Sequence, residues 1–434
     1  MLTREENELL CRIGPAAPMG QMIRRYWVPV AMSDELESDG APKRIHLLGE
    51  NFVAFRDSKG RVGLLDERCP HRGASLVLAR NEDCGLRCLY HGWKIDVAGR
   101  VLDTPVEPET SHLKDNVRAV AYPVRDAGGI VWAYLGPAGR EPPPLDFEFT
   151  KLPASHRVVV KARIACNWVQ CLEGVIDSAH SNFLHTDTFK PAAGLAVSDY
   201  KGSSLLVERP SNDGRPRMEV EDTAYGFRYA AIRKPIIDAD KSAYIRVTLF
   251  VAPFYGMFPG QKGWGTMQAF VPIDDESTFI YFVRYTLDRP IDDEERKRQV
   301  NWSGFRMGVD IDKEFRMFRN RENNWLQDRD AMKRGESFSG VAGVQLEDAM
   351  IQESMGPLYD RTKEHLGAAD LAVVRMRRLM LASVRRFSET GDTPLGLSGP
   401  VDYPHLRAAE LSLPHGSSWQ KAVDTARAEE IAGI

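Results

Sequence analysis

CPHRGA at residues 69–74 and CLYHGWKID at residues 88–96 lay down one loop plan twice. Each loop opens on a cysteine, reaches a histidine two or three residues on, and turns at a glycine just beyond: Cys69, His71 and Gly73 in the first, Cys88, His91 and Gly92 in the second. Sixteen residues separate the two pairs. Two thiolates and two imidazoles suit tetrahedral zinc, or a [2Fe-2S] cluster in which one iron takes both Cys and the other both His. Glycine at the turns lets backbone N–H groups come close to cluster sulfides, where their hydrogen bonds tune a reduction potential. Cys84, four residues before Cys88, has no matching partner and reads as an unliganded loop or core cysteine.

Around these loops, Lys43 to Tyr134 breaks into short strand-like runs at 45–48, 52–55, 62–65 and 130–134, separated by Gly and Asp/Asn turns. That pattern predicts a small antiparallel domain of hairpins over 43–140. Upstream, Glu5–Ile13 and Met19–Trp27 read as helices about a turn at Gly14 and Pro15, so residues 1–42 are expected to form a helical segment packing on the larger domain. Downstream, Gly136–Pro144 carries Pro142, Pro143 and Pro144, cannot pair in a sheet, and marks a connector.

The larger domain, 141–434, offers strands at 158–164, 227–232, 244–252, 266–271 and 278–285, the last two joined by the acidic turn Asp274, Asp275, Glu276. Helical patterns run over Ile291–Met317 and over Asp370–Phe387, the second with Asp370 as N-cap and Gly391 as its stop. The fold class is therefore α+β, with an antiparallel sheet flanked by helices. The charged stretch Asp288–Gly335 reads as a solvated pair of helices, with a lid over a pocket as the alternative.

Within CNWVQCLEGVIDSAHSNFLH, residues 166–185, Asp177, His180 and His185 stand out from apolar surroundings. Asp177 and His180 share a face if the segment is helical, and their side chains can hydrogen-bond. His185 is five residues past His180, about 140° around a regular helix, so both reach one ion only if the helix breaks near Asn182 or Phe183. Two His and a carboxylate with open positions form the facial triad of non-haem Fe(II) oxygen chemistry. The third ligand must come from elsewhere, and QLEDAMIQESMGP, residues 345–357, supplies Glu347, Asp348 and Glu353.

The remaining chemistry of the chain is bland. Its 434 residues are 43% hydrophobic and 27% charged with a net charge of -4, enough for a sizeable core and without the basic field a nucleic-acid partner requires. The polar N-terminus lacks a signal-peptide run and no long apolar stretch follows, so a cytoplasmic protein without a membrane partner is expected. Six scattered cysteines agree with a reducing compartment.

CPHRGA with CLYHGWKID resembles the Rieske signature, in which Cys69 and Cys88 hold one iron of a [2Fe-2S] cluster and His71 and His91 the other. The resemblance runs nearly end to end, from Arg12-Ile13-Gly14-Pro15 to Gln352–Pro357 and Glu364–Gly367. It is closest to the Rieske non-haem iron aromatic-ring-hydroxylating oxygenases of the phthalate 4,5-dioxygenase and 3-chlorobenzoate dioxygenase branch. The resemblance implies Fe(II) held by His180, His185 and Asp348, with Glu347 as the fallback carboxylate. It also implies a catalytic Asp177 that bridges the iron of one subunit to the cluster of its neighbour in a homotrimer or stacked hexamer. A flavin and iron-sulfur reductase would bring electrons from NAD(P)H, and O2 would be inserted into an aromatic carboxylate, a phthalate or substituted benzoate, to give a cis-dihydrodiol. One-oxygen insertion by a monooxygenase, a hydroxylase or O-demethylase, is the alternative.

An aryl carboxylate asks for a cationic anchor in an apolar pocket. Alternation along 244–250 places Tyr244, Arg246, Thr248 and Phe250 on one face, which leaves Arg246 either a substrate anchor or half of an ion pair. Arg209, and Ser178 beside Asp177, are further candidates for substrate binding.

Overall fold

Trp27-Val28-Pro29-Val30-Ala31 is rich in residues that favour extended backbone, and in the computed structural model it forms a strand, Trp27–Met32, paired antiparallel with Ile130–Tyr134. The register slips between Pro29 and Ala31, where a proline without an N–H interrupts the ladder. The structure describes residues 1–191, 207–260 and 263–432.

The strand at Trp27 changes the domain boundaries. One compact unit comprises Ile13–Leu145 with Pro272–Asp274; the other comprises Met1–Arg12, Asp146–Val271 and Asp275–Ile434. Of the segment 1–42 expected on the larger domain, only Met1–Arg12 groups there, because the chain from Trp27 is needed as an edge strand of the smaller unit. The expected helix Met19–Trp27 is correspondingly short, Pro18–Ile23.

In the smaller unit, Lys43–Leu47, Glu50–Arg56, Val62–Asp66 and Ala121–Tyr122 form a four-stranded antiparallel sheet. A second such sheet holds Arg80–Glu82, Gly85–Arg87, Lys94–Ile95 and Val101–Asp103. Their apolar faces bury Val53, Phe55, Leu65, Leu86 and Ile95 in one core, with Cys69, Cys88 and Trp93 in the same cluster. The two Cys/His loops thus grow directly from packed hairpins.

The larger unit is built on an eight-stranded sheet. Its order is Arg157–Ile164, Thr278–Thr286, Trp264–Pro272, Tyr255–Met257, Ser242–Val251, Gly226–Arg233 and Arg217–Thr223, with Ala409–Pro414 alongside Ser242–Val251. Helices Trp168–Ile176 and Leu371–Thr390 pack against it, and Val344–Ser354 packs on the first of these. The long helix ends at Gly391, whose φ of 69° is the left-handed stop that glycine supplies.

The expected helix Ile291–Met317 is a correction: it runs only Asp293–Ser303 and is capped by Gly304 at φ 69°. Beyond it, Asp310 accepts from the backbone N–H of Arg306, and Asp312 accepts from those of Glu314 and Arg316. Such side-chain bonds offer the backbone an alternative to the helical ladder. The stretch 288–335 thus holds two helices, Asp293–Ser303 and the short Arg329–Lys333, with a 3-10 segment, Arg321–Leu326, before the second.

Candidate metal centres

The two Cys/His loops close in the same way. Cys69 N–H donates to the Ala74 carbonyl (2.8 Å) and Gly73 N–H to that of Cys69 (2.9 Å); Cys88 N–H donates to Trp93 (2.9 Å) and Gly92 N–H to Cys88 (3.0 Å). Gly73 and Gly92 sit at φ 74° and 72°, where any side chain is strained, and a Cβ on Gly92 would lie 2.6 Å from Pro105. Burial above all, reinforced by the adjacent Cys88, pushes the Cys69 thiol up to about 11, against backbone N–H groups of His71 and Arg72 that favour the thiolate. The imidazoles of His71 and His91 lie 4.5 Å apart between ring centres, and His71 stacks flat on Trp93 at 4.7 Å.

Zinc and a cluster can now be told apart. A single tetrahedral ion gathers all its donors around one point. Among the described residues, the one set of three Cys, His, Asp or Glu donors within 4.8 Å of one another is His180, His185 and Asp348, not the Cys/His loops. A thiol pair and an imidazole pair, to which each loop gives one Cys and one His, with backbone N–H groups turned toward Cys69, fit a two-iron cluster ligated by Cys69 and Cys88 on one side and His71 and His91 on the other. Cys84 is a half-buried free thiol at φ 64° in a turn.

The second donor set comes from two separate segments of the chain. Helix Trp168–Ile176 is started by Asn167, whose side chain accepts from Val169 N–H, and it stops one residue before Asp177, which is already extended. The break thus falls about five residues earlier than the expected one near Asn182, and a short 3-10 turn, His180–Asn182, aims His180 back along the chain. His185 follows from a turn in which Leu184 N–H donates to the His180 carbonyl. Asp348 arrives on helix Val344–Ser354.

There the donors converge. His180 Nε2 and His185 Nε2 are 3.2 Å apart, and Asp348 Oδ1 lies 3.4 Å from the first and 3.1 Å from the second. Each imidazole is held from behind by a carboxylate: His180 Nδ1 by Asp177 (3.3 Å) and His185 Nδ1 by Glu347 (2.8 Å). An N–H at Nδ1 of each neutral imidazole leaves a lone pair at Nε2, so that two lone pairs and a carboxylate oxygen face one another. That arrangement asks for a cation at the centre. The charges say the same. Burial pulls His180 down, but hydrogen bonds and attraction from Asp177 and Asp348 outweigh it and hold His180 at about 10. Burial likewise opposes ionisation of Asp348, yet the two histidines keep it far below the usual carboxylate range.

Glu347 is thus a partner of His185 rather than a donor to the central point. Consecutive residues on a helix point about 100° apart, so Glu347 and Asp348 address different atoms of the same imidazole. Ser339 donates to Glu347 Oε1 at 2.5 Å and completes its shell. Glu353 lies away from the centre, accepting from Ala165 N–H and from the Trp325 indole.

These donors open onto a cavity of about 100 Å³, lined by Asp177, Ser178, His180, His185, Asp348, Arg209, Arg246 and Arg284 among others. Arg246 is paired: the register sets it opposite Glu410, and its Nη1 meets that carboxylate at 2.8 Å. Arg209 stacks on Phe189 at 3.9 Å and donates to Ser181 Oγ at 3.0 Å, while its buried Nε has no acceptor. Burial first, then repulsion from Arg246, lowers Arg209 to about 9. Ser178 accepts from Arg233 Nη2 at its carbonyl (2.8 Å) and hydroxyl (3.2 Å). Arg233, buried with its Nε and Nη1 unpaired, was not singled out by the sequence; its signal was strand alternation, which places it across from Tyr244.

A chain that holds both a hairpin domain with two Cys/His loops and a sheet domain with a His/His/Asp centre is an iron-sulfur protein that also carries a mononuclear metal. Residues 26–119 match the family model described as Rieske [2Fe-2S] domain, and residues 133–432 match that described as LigXa C-terminal domain like. The chain is 47% identical to the phthalate 4,5-dioxygenase oxygenase subunit of Pseudomonas putida, over 91% of this chain and 89% of that one. It is 35% identical to the 3-chlorobenzoate-3,4-dioxygenase oxygenase subunit of Comamonas testosteroni, over 98% of each. A crystal structure of dicamba monooxygenase shares the fold with a TM-score of 0.60 at 14% identity, covering 85% of this chain and 99% of that one. The chain belongs to the Rieske non-haem iron oxygenases. It is accordingly an oxygenase with a [2Fe-2S] cluster, a non-haem iron and O2 as co-substrate.

Proposed function

We propose that this protein is the terminal oxygenase component of a dioxygenase system acting on an aromatic carboxylate, a phthalate or substituted benzoate, to give a cis-dihydrodiol. Electrons would come from NAD(P)H through a separate flavin and iron-sulfur reductase. The observation that carries the reading is the meeting of two imidazole Nε2 atoms and Asp348 Oδ1 within 3.1–3.4 Å at the wall of a cavity that also holds Arg209. His180, His185 and Asp348 would hold the iron, and Cys69, Cys88, His71 and His91 the cluster. When bound, the two groups supply electron storage and O2 activation.

The chain's own residues supply the rest. Asp177 and Glu347 keep each imidazole in the tautomer that bares Nε2. Arg209, a buried cation with no carboxylate partner among the described residues, orients the substrate carboxylate; Arg246 adds its charge nearby while tied to Glu410, and Ser178 lines the same wall. Asp177 is also the residue we assign as the link to His91 of a neighbouring copy in a ring of three or a stacked six. The protein would work in the cytoplasm.

Replacing Asp177 with Asn tests the assignment. Iron and sulfide should remain while turnover is nearly abolished; normal turnover would remove Asp177 from the mechanism. Product analysis with phthalates and benzoates is expected to yield dihydrodiols, and a phenol or a demethylated acid would put the monooxygenase reading in their place.

A further inference from the structure

Arg284 has no role in the account so far. It lies on strand Thr278–Thr286, on the face that also carries Ile280 into the cavity, and it is 6% exposed. Its guanidinium sits between two indoles, 5.1 Å from the Trp264 ring centre and 4.9 Å from that of Trp302. Among the described residues it meets no carboxylate, and its Nε is buried without an acceptor. The carboxylate whose charge reaches it, Glu295, is already gripped by Arg289 through both oxygens at 2.7 and 2.8 Å. Burial accordingly draws Arg284 down to about 10.

Stacking on aromatic faces returns far less than the burial of an unpaired cation costs. A second orphan donor lines the same cavity: the Trp302 indole N–H, buried and without a partner. Two unsatisfied buried donors on residues that stack together and line one cavity, one of them charged, are the features of a seat for an anion. It is not the seat at Arg209 and Arg246. Arg246 and Arg284 stand on different strands that do not pair with each other, Ser242–Val251 and Thr278–Thr286. The charge of Arg246 acts on Arg209, whereas neither acts on Arg284.

We infer that Arg284 and the Trp302 N–H form a second anion subsite in the cavity, which receives a second carboxylate on the aromatic substrate at a ring position not adjacent to the first. This rests on the reading of the cavity as the substrate site. The first carboxylate goes to Arg209; the ring lies across the apolar floor that includes Phe270 and Ile280; the second carboxylate accepts hydrogen bonds from Arg284 and Trp302.

The test is calorimetric titration of the anaerobic holoenzyme with benzoate and the 1,2-, 1,3- and 1,4-benzenedicarboxylates. Arg284→Met should weaken the 1,3 and 1,4 isomers at least about tenfold, the loss of a charge-assisted pair of hydrogen bonds, and leave benzoate and the 1,2 isomer within about twofold. Any pattern without selective loss of the 1,3 and 1,4 isomers overturns the subsite and leaves Arg284 a structural clamp between two indoles. If the Met variant does not fold, Arg284→Gln, with a flat amide still stacked between the indoles, carries the same expectation. Arg209→Met separates the two readings: it should weaken all four ligands. If it weakens none, the substrate-site reading fails whatever Arg284 does.

Discussion

The two metal centres of this chain are built by opposite strategies. The cluster donors fall within 23 residues of sequence, from Cys69 to His91, on two loops that repeat the same pair of backbone hydrogen bonds. The mononuclear donors come from a turn after one helix and from a second helix more than 160 residues later, since Glu347 and His185 are separated by 162 positions. One centre is a local motif that a small hairpin core can support alone. The other exists only when helices Trp168–Ile176 and Val344–Ser354 are packed together. Damage should therefore stay local in the first case and spread through packing in the second.

Cys88→Ser is the severest way to break that contrast. Visible absorption, labile sulfide and turnover should all be lost, while iron still binds at His180, His185 and Asp348; loss of both metals would show that the centres are not independent. Glu347→Gln acts on the second centre only. Removing the carboxylate behind His185 should weaken iron binding by about 10- to 100-fold, measured by chelator competition, with the cluster spectrum unchanged. Gly92→Ala tests how tightly the local motif is drawn. A left-handed φ and the approach to Pro105 should cost on the order of 1–2 kcal/mol, read as a lower melting point of the cluster absorbance with no change at the iron.

The mildest test uses acid. Glu173, on the helix before Asp177, is chelated by Arg361 and held by Arg377, at 2.9 and 2.6 Å. Burial opposes its ionisation, but the two guanidiniums prevail and lower its pKa. A depressed carboxyl lends stability that is fully present above the unfolded value, 4.5, and is lost as pH falls through the lower folded value. On acidification below 4.5, the folding stability of the larger unit, followed by denaturant titration, should decline with a slope that Glu173→Gln reduces. The same slope in both proteins would remove Glu173 from that packing.

This division also explains what the sequence could and could not disclose. The two Cys/His loops were legible as matched turns because a short motif carries its geometry with it. The strands read from alternation lie within a residue or two of the observed ends, while Arg217–Thr223 and Ala409–Pro414 of the same sheet were not foreseen. The role of Glu347 and the pairing of Arg246 with Glu410 were not, because each depends on a partner far away in the chain. The helix expected over Ile291–Met317 failed for a local reason. Its apolar spacing continued past Gly304, but Gly304, Asp310 and Asp312 supplied turn chemistry that outweighed periodicity.

Iron and acid-labile sulfide, assayed on the same purified protein with and without His185→Ala, bear most directly on the two-centre account. The wild type should hold more iron than sulfide, and the variant should fall to equal amounts with its visible spectrum intact. Equal iron and sulfide in the wild type, or sulfide lost along with iron in the variant, would contradict it.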